Sequence, residues 1–446
     1  MLRRNFVGTG LAAGAAALAA GNAVRMEGAA QGGRRPPNVV FFLSDDMGYG
    51  DLSCYGSREI KTPHIDRLAR QGVKFTSAYA NGPVCTPTRT AFITGRYQQR
   101  FGPELEWAFG PNNNKTAGLK TTDSVLPRAL KPLGYKSACM GKWHLGWSPQ
   151  FRPVAHGFDE HFGILLGNAD MYSHKYHDGS DDLWENGEPE KREGYLTEMI
   201  ADKAVSFVER HAASPFFLYV PFNAVHWPFQ PPGRPTDIRN SQNWRDGERA
   251  DYVKMTESMD TAVGRVMDAL ARKGLEKDTL VVFTNDNGGE RLSESGPLFH
   301  VKGTVFEGGI RVPAIARWPG VIPAGRVTAQ TAMTMDFTAT ILAAAGATAP
   351  DGIKLDGEDL MPVMSGKRAA YERSHFWRVR QAGRSQLAVR RGRWKYIDDN
   401  TGGRGFPELL FDVEADPGER RNLYFRHQDV ARGLRAEALR WEAAVS

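Results

Sequence analysis

Cysteine is scarce in this chain: Cys54, Cys85 and Cys139 are its 3 in 446 residues. Three thiols build no disulfide framework, and no CxxC spacing marks a zinc site. The body of the chain has no uncharged apolar run of about 18 residues, which excludes a polytopic membrane protein. No block of Lys and Arg stands out, and 57 basic against 51 acidic residues leave a formal charge of only +6. Nucleic acid is therefore not an expected partner. No internal repeat is visible. What is present fits a folded protein: 41% hydrophobic residues and 10% aromatics exclude disorder as the main state. At ~150 residues per domain, the length allows two or three domains, or one large α/β domain with a small companion.

The N-terminus reads as an address. Arg3, Arg4 and Phe6 precede the Ala/Gly-rich stretch LAAGAAALAAGNA, which ends at Ala23. A basic start, a short apolar segment and small residues make an export signal. The paired arginines resemble the bacterial twin-arginine signal, which carries folded proteins. Residues 1–23 are read as that signal and the polar residues 24–37 as a linker. The mature chain is expected in the periplasm or secreted, with the export machinery as a partner and no integral membrane segment.

Three nearly continuous apolar runs follow: Asn38 to Leu43, Phe216 to Val220 and Thr279 to Thr284. Such runs suit strands buried on both faces, as in parallel sheets. Between them lie helix-like segments, Pro63 to Gln71, Ser124 to Leu133, Thr197 to His211 and Tyr252 to Lys273. Strands alternating with helices predict a layered α/β domain. From Tyr371 the chain alternates aromatic and basic residues, with a turn signal at Gly392. A small antiparallel sheet and a closing helix, Val430 to Ala444, are expected there. The reading is a catalytic domain over 38–370 and an α+β subdomain over 371–446.

Two of the buried runs end in acids and amides: Ser44-Asp45-Asp46, and Asn285-Asp286-Asn287. Ligands gather beyond the carboxyl ends of strands in open α/β sheets. Asp45, Asp46, Asp286 and Asn287 would form an oxygen set for a hard cation, Ca²⁺ or Mg²⁺. Without a cation the three carboxylates would raise one another's pKa. Caps of turns and helices are the alternative role for such residues.

In Pro83-Val-Cys-Thr-Pro-Thr-Arg89, Thr86 can cap a helix with Pro87 in its first turn and Arg89 close to Cys85. Helix N–H groups and a guanidinium favour an anion there and would lower a thiol pKa. Read from the residues alone, Cys85 is either a reactive thiolate or a small buried hydrophobe.

Cys85-Thr-Pro-Thr-Arg89 also matches the Cys-x-Pro-x-Arg motif of the type I, formylglycine-dependent sulfatases, arylsulfatase-like members of the alkaline-phosphatase-like superfamily. Val39 to Asp51 resembles that family's opening strand and metal loop, and Gly134 to Gly146, with Lys142 and His144, its second motif. Ala224-Val-His-Trp-Pro228, Phe283 to Gly289, Lys302 with Glu307 to Pro313, and Leu410 to Glu419 follow in order. The resemblance runs from Asn38 to Leu423.

It implies an α/β fold with a mixed, mostly parallel sheet flanked by helices, plus a small C-terminal antiparallel sheet with a helix. It implies hydrolysis of aryl or carbohydrate sulfates to alcohol and sulfate. Cys85 becomes formylglycine, made by a maturation enzyme, and one hydroxyl of its hydrate attacks sulfur with Asp286 as base. Asp45, Asp46, Asp286, Asn287 and residue 85 hold one divalent cation; Ca²⁺ is favoured because four protein oxygens suit its larger shell. His226, or else Lys302, protonates the leaving oxygen. His144 deprotonates the second hydroxyl, which expels sulfate. Arg89, Lys142 and Lys302 supply fixed positive charge. A formylglycine phosphodiesterase or phosphonate monoester hydrolase is the runner-up. A sulfated-glycan-binding protein and a thiolate enzyme using unmodified Cys85 are further alternatives. Cys54 and Cys139 are read as packing residues, with a disulfide left open. Asp170 to His177 are read as either pocket wall or plain surface loop.

Overall fold

Each of the three apolar runs becomes a strand buried on both faces. The computed structural model describes residues 35–109, 116–235, 244–381, 383–401 and 408–446. The signal segment and all but the end of the linker lie outside the described residues. In chain order the main sheet contains β1 (Asn38–Ser44), β2 (Val73–Tyr79), β3 (Lys136–Met140), β4 (Glu160–Gly163), β5 (Trp184–Glu185), β6 (Glu188–Pro189), β7 (Phe216–Pro221), β8 (Thr279–Asn285), β9 (Arg311–Arg317), β10 (Arg326–Thr328) and β11 (Ala332–Met333). Their spatial order is β10-β2-β9-β8-β1-β7-β3-β4-β5-β6, with β11 also paired to β2. The central strands β8, β1, β7, β3 and β4 are parallel. β9 runs antiparallel to β8 and β2, and the edge pairs β4–β5 and β5–β6 are antiparallel. The sheet is mixed and mostly parallel at its centre, as expected.

Side chains alternate across this sheet with period two. Val40 and Phe42 enter one core, with Leu218, Val281 and Phe283. Val39, Phe41 and Leu43 enter the other, with Phe217, Tyr219 and Val282. Helices Leu196–His211 and Arg249–Arg272 contribute buried residues to the first core, and helices Cys85–Thr94 and Thr334–Ala345 to the second. Phe41 stacks on Phe92 with ring centroids 3.9 Å apart, which ties β1 to the helix that Cys85 begins.

A second sheet is purely antiparallel: β12 (Ser374–Val379), β13 (Gln386–Arg391), β14 (Trp394–Asp399) and β15 (Glu408–Asp412), in sequence order. Gly392 turns the β13–β14 hairpin at φ 56°, the left-handed region that glycine adopts readily. Helix Gln428–Val445 closes it, burying Ala431, Leu434, Ala438 and Trp441. Its core is shared with the main sheet through Tyr79, Met333 and Phe306. Beside it, fully buried Lys395 lies 2.9 Å from both Glu307 and Glu419. Among the described residues, no helix is long and apolar enough to cross a membrane. Cys54, Cys85 and Cys139 are all free, so Cys54 and Cys139 do not pair.

Candidate active site

Strand register brings the acidic ends together. Ser44 at the end of β1 pairs with Asn285 at the end of β8, and Leu43 pairs with Pro221 at the end of β7. The segments 45–47, 222–226 and 286–290 therefore emerge at the same edge. Asp45 N–H donates to Ala224 O at 3.0 Å, and Lys142 N–H, just beyond β3, donates to Pro221 O at 2.7 Å. Four loops thus converge on one point.

Cys85 stands there as the first residue of helix Cys85–Thr94, with Val84 as its extended N-cap. The helix begins two residues earlier than a Thr86 cap implies, and this places Cys85 inside the first turn. Cys85 Sγ is buried, 3.4 Å from Asp45 Oδ1 and 3.4 Å from Lys142 Nζ. Lys142 Nζ also lies 2.5 Å from Asp45 Oδ2. Arg89, one turn on, is fully buried and grips Asp286 Oδ2 through Nε at 3.0 Å and Nη2 at 2.7 Å, while Nη1 donates to Lys142 O at 2.7 Å. Lys302 Nζ donates to Asp46 Oδ2 at 2.6 Å, and His226 Nε2 lies 3.4 Å from the same oxygen. Asn287 Nδ2 donates to Asp46 Oδ1 at 2.8 Å.

Burial and the neighbouring carboxylates set the protonation states. Burial and Asp286 push Asp45 up to about 7, against Lys142 and Arg89. Burial acts on Asp46 too, but Lys302, His226 and Lys142 outweigh it and hold Asp46 below the usual carboxylate range. Burial and Asp45 drive the Cys85 thiol upward. This reverses the lowering expected from a helix N-terminus with Arg89 nearby, because burial and the Asp45 charge outweigh the cations. An unmodified Cys85 is a poor thiolate here. His144 is held well below its ordinary value by burial, Lys142 and Arg89, and neither of its ring nitrogens has a partner. His226 is likewise held neutral by burial, despite Asp46. Its Nδ1 lies 2.6 Å from Trp227 O, an acceptor only, so Nδ1 carries the hydrogen and Nε2 faces Asp46 bare.

Ligand atoms of Asp45, Asp46, Cys85 and His226 all lie within 4.8 Å of one another. Asn287 Oδ1 is buried without a partner. An oxygen-rich cluster with an unsatisfied amide oxygen fits a hard cation. Asp286 touches this group through its Oδ1, 3.4 Å from Asp46 N. Asp45, Asp46, Cys85, Arg89, Lys142, His144, His226, Asp286, Asn287 and Lys302 all lie in this one cluster or its wall.

The chain covers the features that define a family. The sulfatase family model matches residues 37–347, and the model for the N-sulphoglucosamine sulphohydrolase C-terminal region matches residues 297–442. The chain belongs to the sulfatase family. The enzyme is 36% identical over 391 residues to the N-acetylgalactosamine-6-sulfatase of Canis lupus familiaris, covering 82% of this chain and 72% of that protein. It is 32% identical over 519 residues to the steryl-sulfatase of Mus musculus, covering 91% of this chain and 82% of that protein. The crystal structure of Ps i-CgsB superposes with a TM-score of 0.82 at 30% identity, covering 92% of this chain and 93% of that one. The same protein has been solved in complex with k-i-k-neocarrahexaose. The enzyme is thus a sulfate ester hydrolase of alkaline-phosphatase-like fold.

A cleft of about 680 Å³ opens over residue 85, and His144, His226 and Lys302 line it. Of the segment Asp170 to His177, only Tyr176 and His177 line the cleft, while Tyr172 to Lys175 line a separate surface depression. Sequence reasoning passed over Trp107, Trp244, Arg245, Glu290 and Arg384, which also face the cleft. Only Glu290 carried a signal, since it directly follows the Asn287-Gly288-Gly289 loop. Burial and Asp46 push its carboxyl up to about 7.

Proposed function

We propose that the enzyme releases sulfate from carbohydrate sulfates, using a formylglycine made from Cys85. The observation that carries this is the seat of Cys85: a buried helix start with Asp45 and Lys142 both 3.4 Å from its sulfur. The relatives that act on N-acetylgalactosamine 6-sulfate or bind a carrageenan oligosaccharide support the substrate class. As an aldehyde hydrate, residue 85 supplies one hydroxyl to attack sulfur and a second whose deprotonation releases sulfate. A divalent cation held by Asp45, Asp46, Asp286 and Asn287 supplies positive charge for the sulfate oxygens and the nucleophile. Its chemistry favours Ca²⁺ over Mg²⁺.

The chain's own residues take the remaining parts. The contact with Sγ favours Asp45 over Asp286 for accepting the first hydroxyl proton. Arg89 orients Asp286, and Lys142 holds Asp45 while facing the developing charge. Neutral His144, with both nitrogens free of partners, is suited to take the second hydroxyl's proton. Lys302, kept charged by Asp46 against burial, is the proton donor to the leaving oxygen that its charge state supports. His226 shares that position with a bare Nε2. We read 1–23 as a twin-arginine-type signal, 38–370 as the catalytic domain, 371–446 as the C-terminal subdomain, and the destination as the periplasm or the medium.

The test is the mass of the peptide bearing residue 85, in protein made with a maturation enzyme, beside a Cys85→Ala control on an aryl sulfate. The expected result is an aldehyde or hydrate mass, with sulfate release abolished in the control. An unmodified thiol in an active enzyme overturns the reading.

A further inference from the structure

The cleft over residue 85 holds more positive charge than one sulfate group uses. Lys142 and Lys302 are committed to Asp45 and Asp46. Two further arginines line the same cleft, Arg245 and Arg384. Among the described residues, neither is joined to a carboxylate within 4 Å or uses its side chain in a hydrogen bond. A guanidinium lining a concave site with no carboxylate bound to it is suited to hold an oxyanion.

The two arginines come from different parts of the fold. Arg245 precedes helix Arg249–Arg272, and its guanidinium lies over the Trp227 ring, 5.2 Å from the centroid. Arg384 sits in the loop between β12 and β13 of the second sheet. Trp227 directly follows His226, so its ring adjoins the point where the leaving oxygen departs. Trp227 and Trp244 meet edge to face at 6.3 Å and 84°. Perpendicular indoles of this kind make an apolar corner against which a sugar ring packs by its C–H face. The carboxylate lining the cleft, Glu290, lies 3.9 Å from Lys302 and also feels the charge of Arg245, without a hydrogen bond to it.

We infer that the leaving alcohol is itself anionic: a sugar packed on Trp227 that carries, on itself or on its adjoining residue, a second oxyanion held by Arg245 and Arg384. A neutral monosaccharide or an aryl group would leave both guanidiniums unused. The oxyanion is a second sulfate or a uronate carboxylate, which share charge and planar or near-planar acceptor edges. This rests on the hydrolase reading above and narrows its substrate class.

The test compares kcat and KM of the formylglycine-bearing enzyme on four substrates: an aryl sulfate, a monosulfated neutral hexose, a disulfated disaccharide and a monosulfated disaccharide with a uronate. The expected result is a kcat/KM at least tenfold higher for one or both dianions than for the neutral hexose. Arg245→Ala and Arg384→Ala are then expected to lower the dianion-to-aryl selectivity by about 10–100-fold, mainly through KM, the usual range for a charged hydrogen bond. Arg245→Lys is expected to recover part of it. A dominant effect on one dianion identifies sulfate or carboxylate as the second group. Selectivity unmoved in both alanine variants, with sulfate still released, overturns this inference alone. No sulfate release from any substrate by enzyme carrying the aldehyde overturns the hydrolase mechanism and this inference together.

Discussion

Ser44 Oγ donates to Asn285 Oδ1 at 2.8 Å, joining the last residues of β1 and β8. The other end of the same amide donates to Met47 O at 2.7 Å. Asn285 therefore latches the loop bearing Asp45 and Asp46 to the strand that leads into Asp286 and Asn287. It touches neither sulfur nor substrate and acts only by position.

Removing the latch is expected to loosen the cation site before it unfolds the protein. Asn285→Ala leaves Met47 O without its buried side-chain donor, while Ser44 Oγ keeps only Thr284 O at 3.2 Å, at about 1–3 kcal/mol. Loss of such a supporting contact typically weakens metal affinity by ~10–100-fold. Calorimetric titration with Ca²⁺ checks this, and an affinity within twofold of the parent would refute it.

Cation removal gives a second expectation. Asp45, Asp46 and Asp286 repel one another when nothing lies between them, so chelation should lower Tm and abolish turnover. Re-addition of Ca²⁺ should restore both at lower concentration than Mg²⁺. Equal rescue by the two ions would remove the preference for calcium.

Arg89 and Asp286 form a fully buried pair with two hydrogen bonds. Arg89→Gln strands the Asp286 carboxylate and should cost about 3–5 kcal/mol. Urea unfolding measures it directly. Arg89→Lys should recover only part, because one ammonium cannot reach both Asp286 and the Lys142 carbonyl.

Acid sensitivity has a separate source. His156 and His161 are buried, and burial holds them down to about 4 and about 3. In an unfolded chain histidine titrates near ~6.5. Between those values the unfolded state binds protons that the folded state refuses. Stability is full above about 6.5 and falls as pH drops toward 4, by about 4 kcal/mol for the pair at pH 5. His161→Leu should flatten the fall in Tm between pH 6.5 and 5; an unaltered slope would rule His161 out as its source.

The central strands were legible because β1, β7 and β8 are apolar without interruption, which is what burial on both faces demands. β9 was not, because Arg311, Pro313 and Arg317 break the run, and its antiparallel pairing depends on β2 and β8 being in place. The residues around the nucleophile were legible through short motifs. The outer wall was not: Trp107, the adjacent Trp244 and Arg245, and Arg384 lie on three loops far apart in sequence, and only folding brings them to one cleft. The direction of the Cys85 shift was also hidden, since it depends on burial and on Asp45 being brought to the sulfur across 40 positions of sequence.

Lys395 bridges Glu307 of the main body and Glu419 beyond β15. Glu307 lies five positions after Lys302, and Arg384 belongs to the same small sheet as Lys395. A catalytic half ending near residue 370 would therefore leave buried Glu307 with Arg311 and Tyr79 but without the Lys395 ammonium, and would lack one wall of its cleft. The two sheets form a single working tool with exchangeable tips: the large one keeps the reagents, while a changed β12–β13 loop could retune which sulfated sugar is cut without disturbing how it is cut.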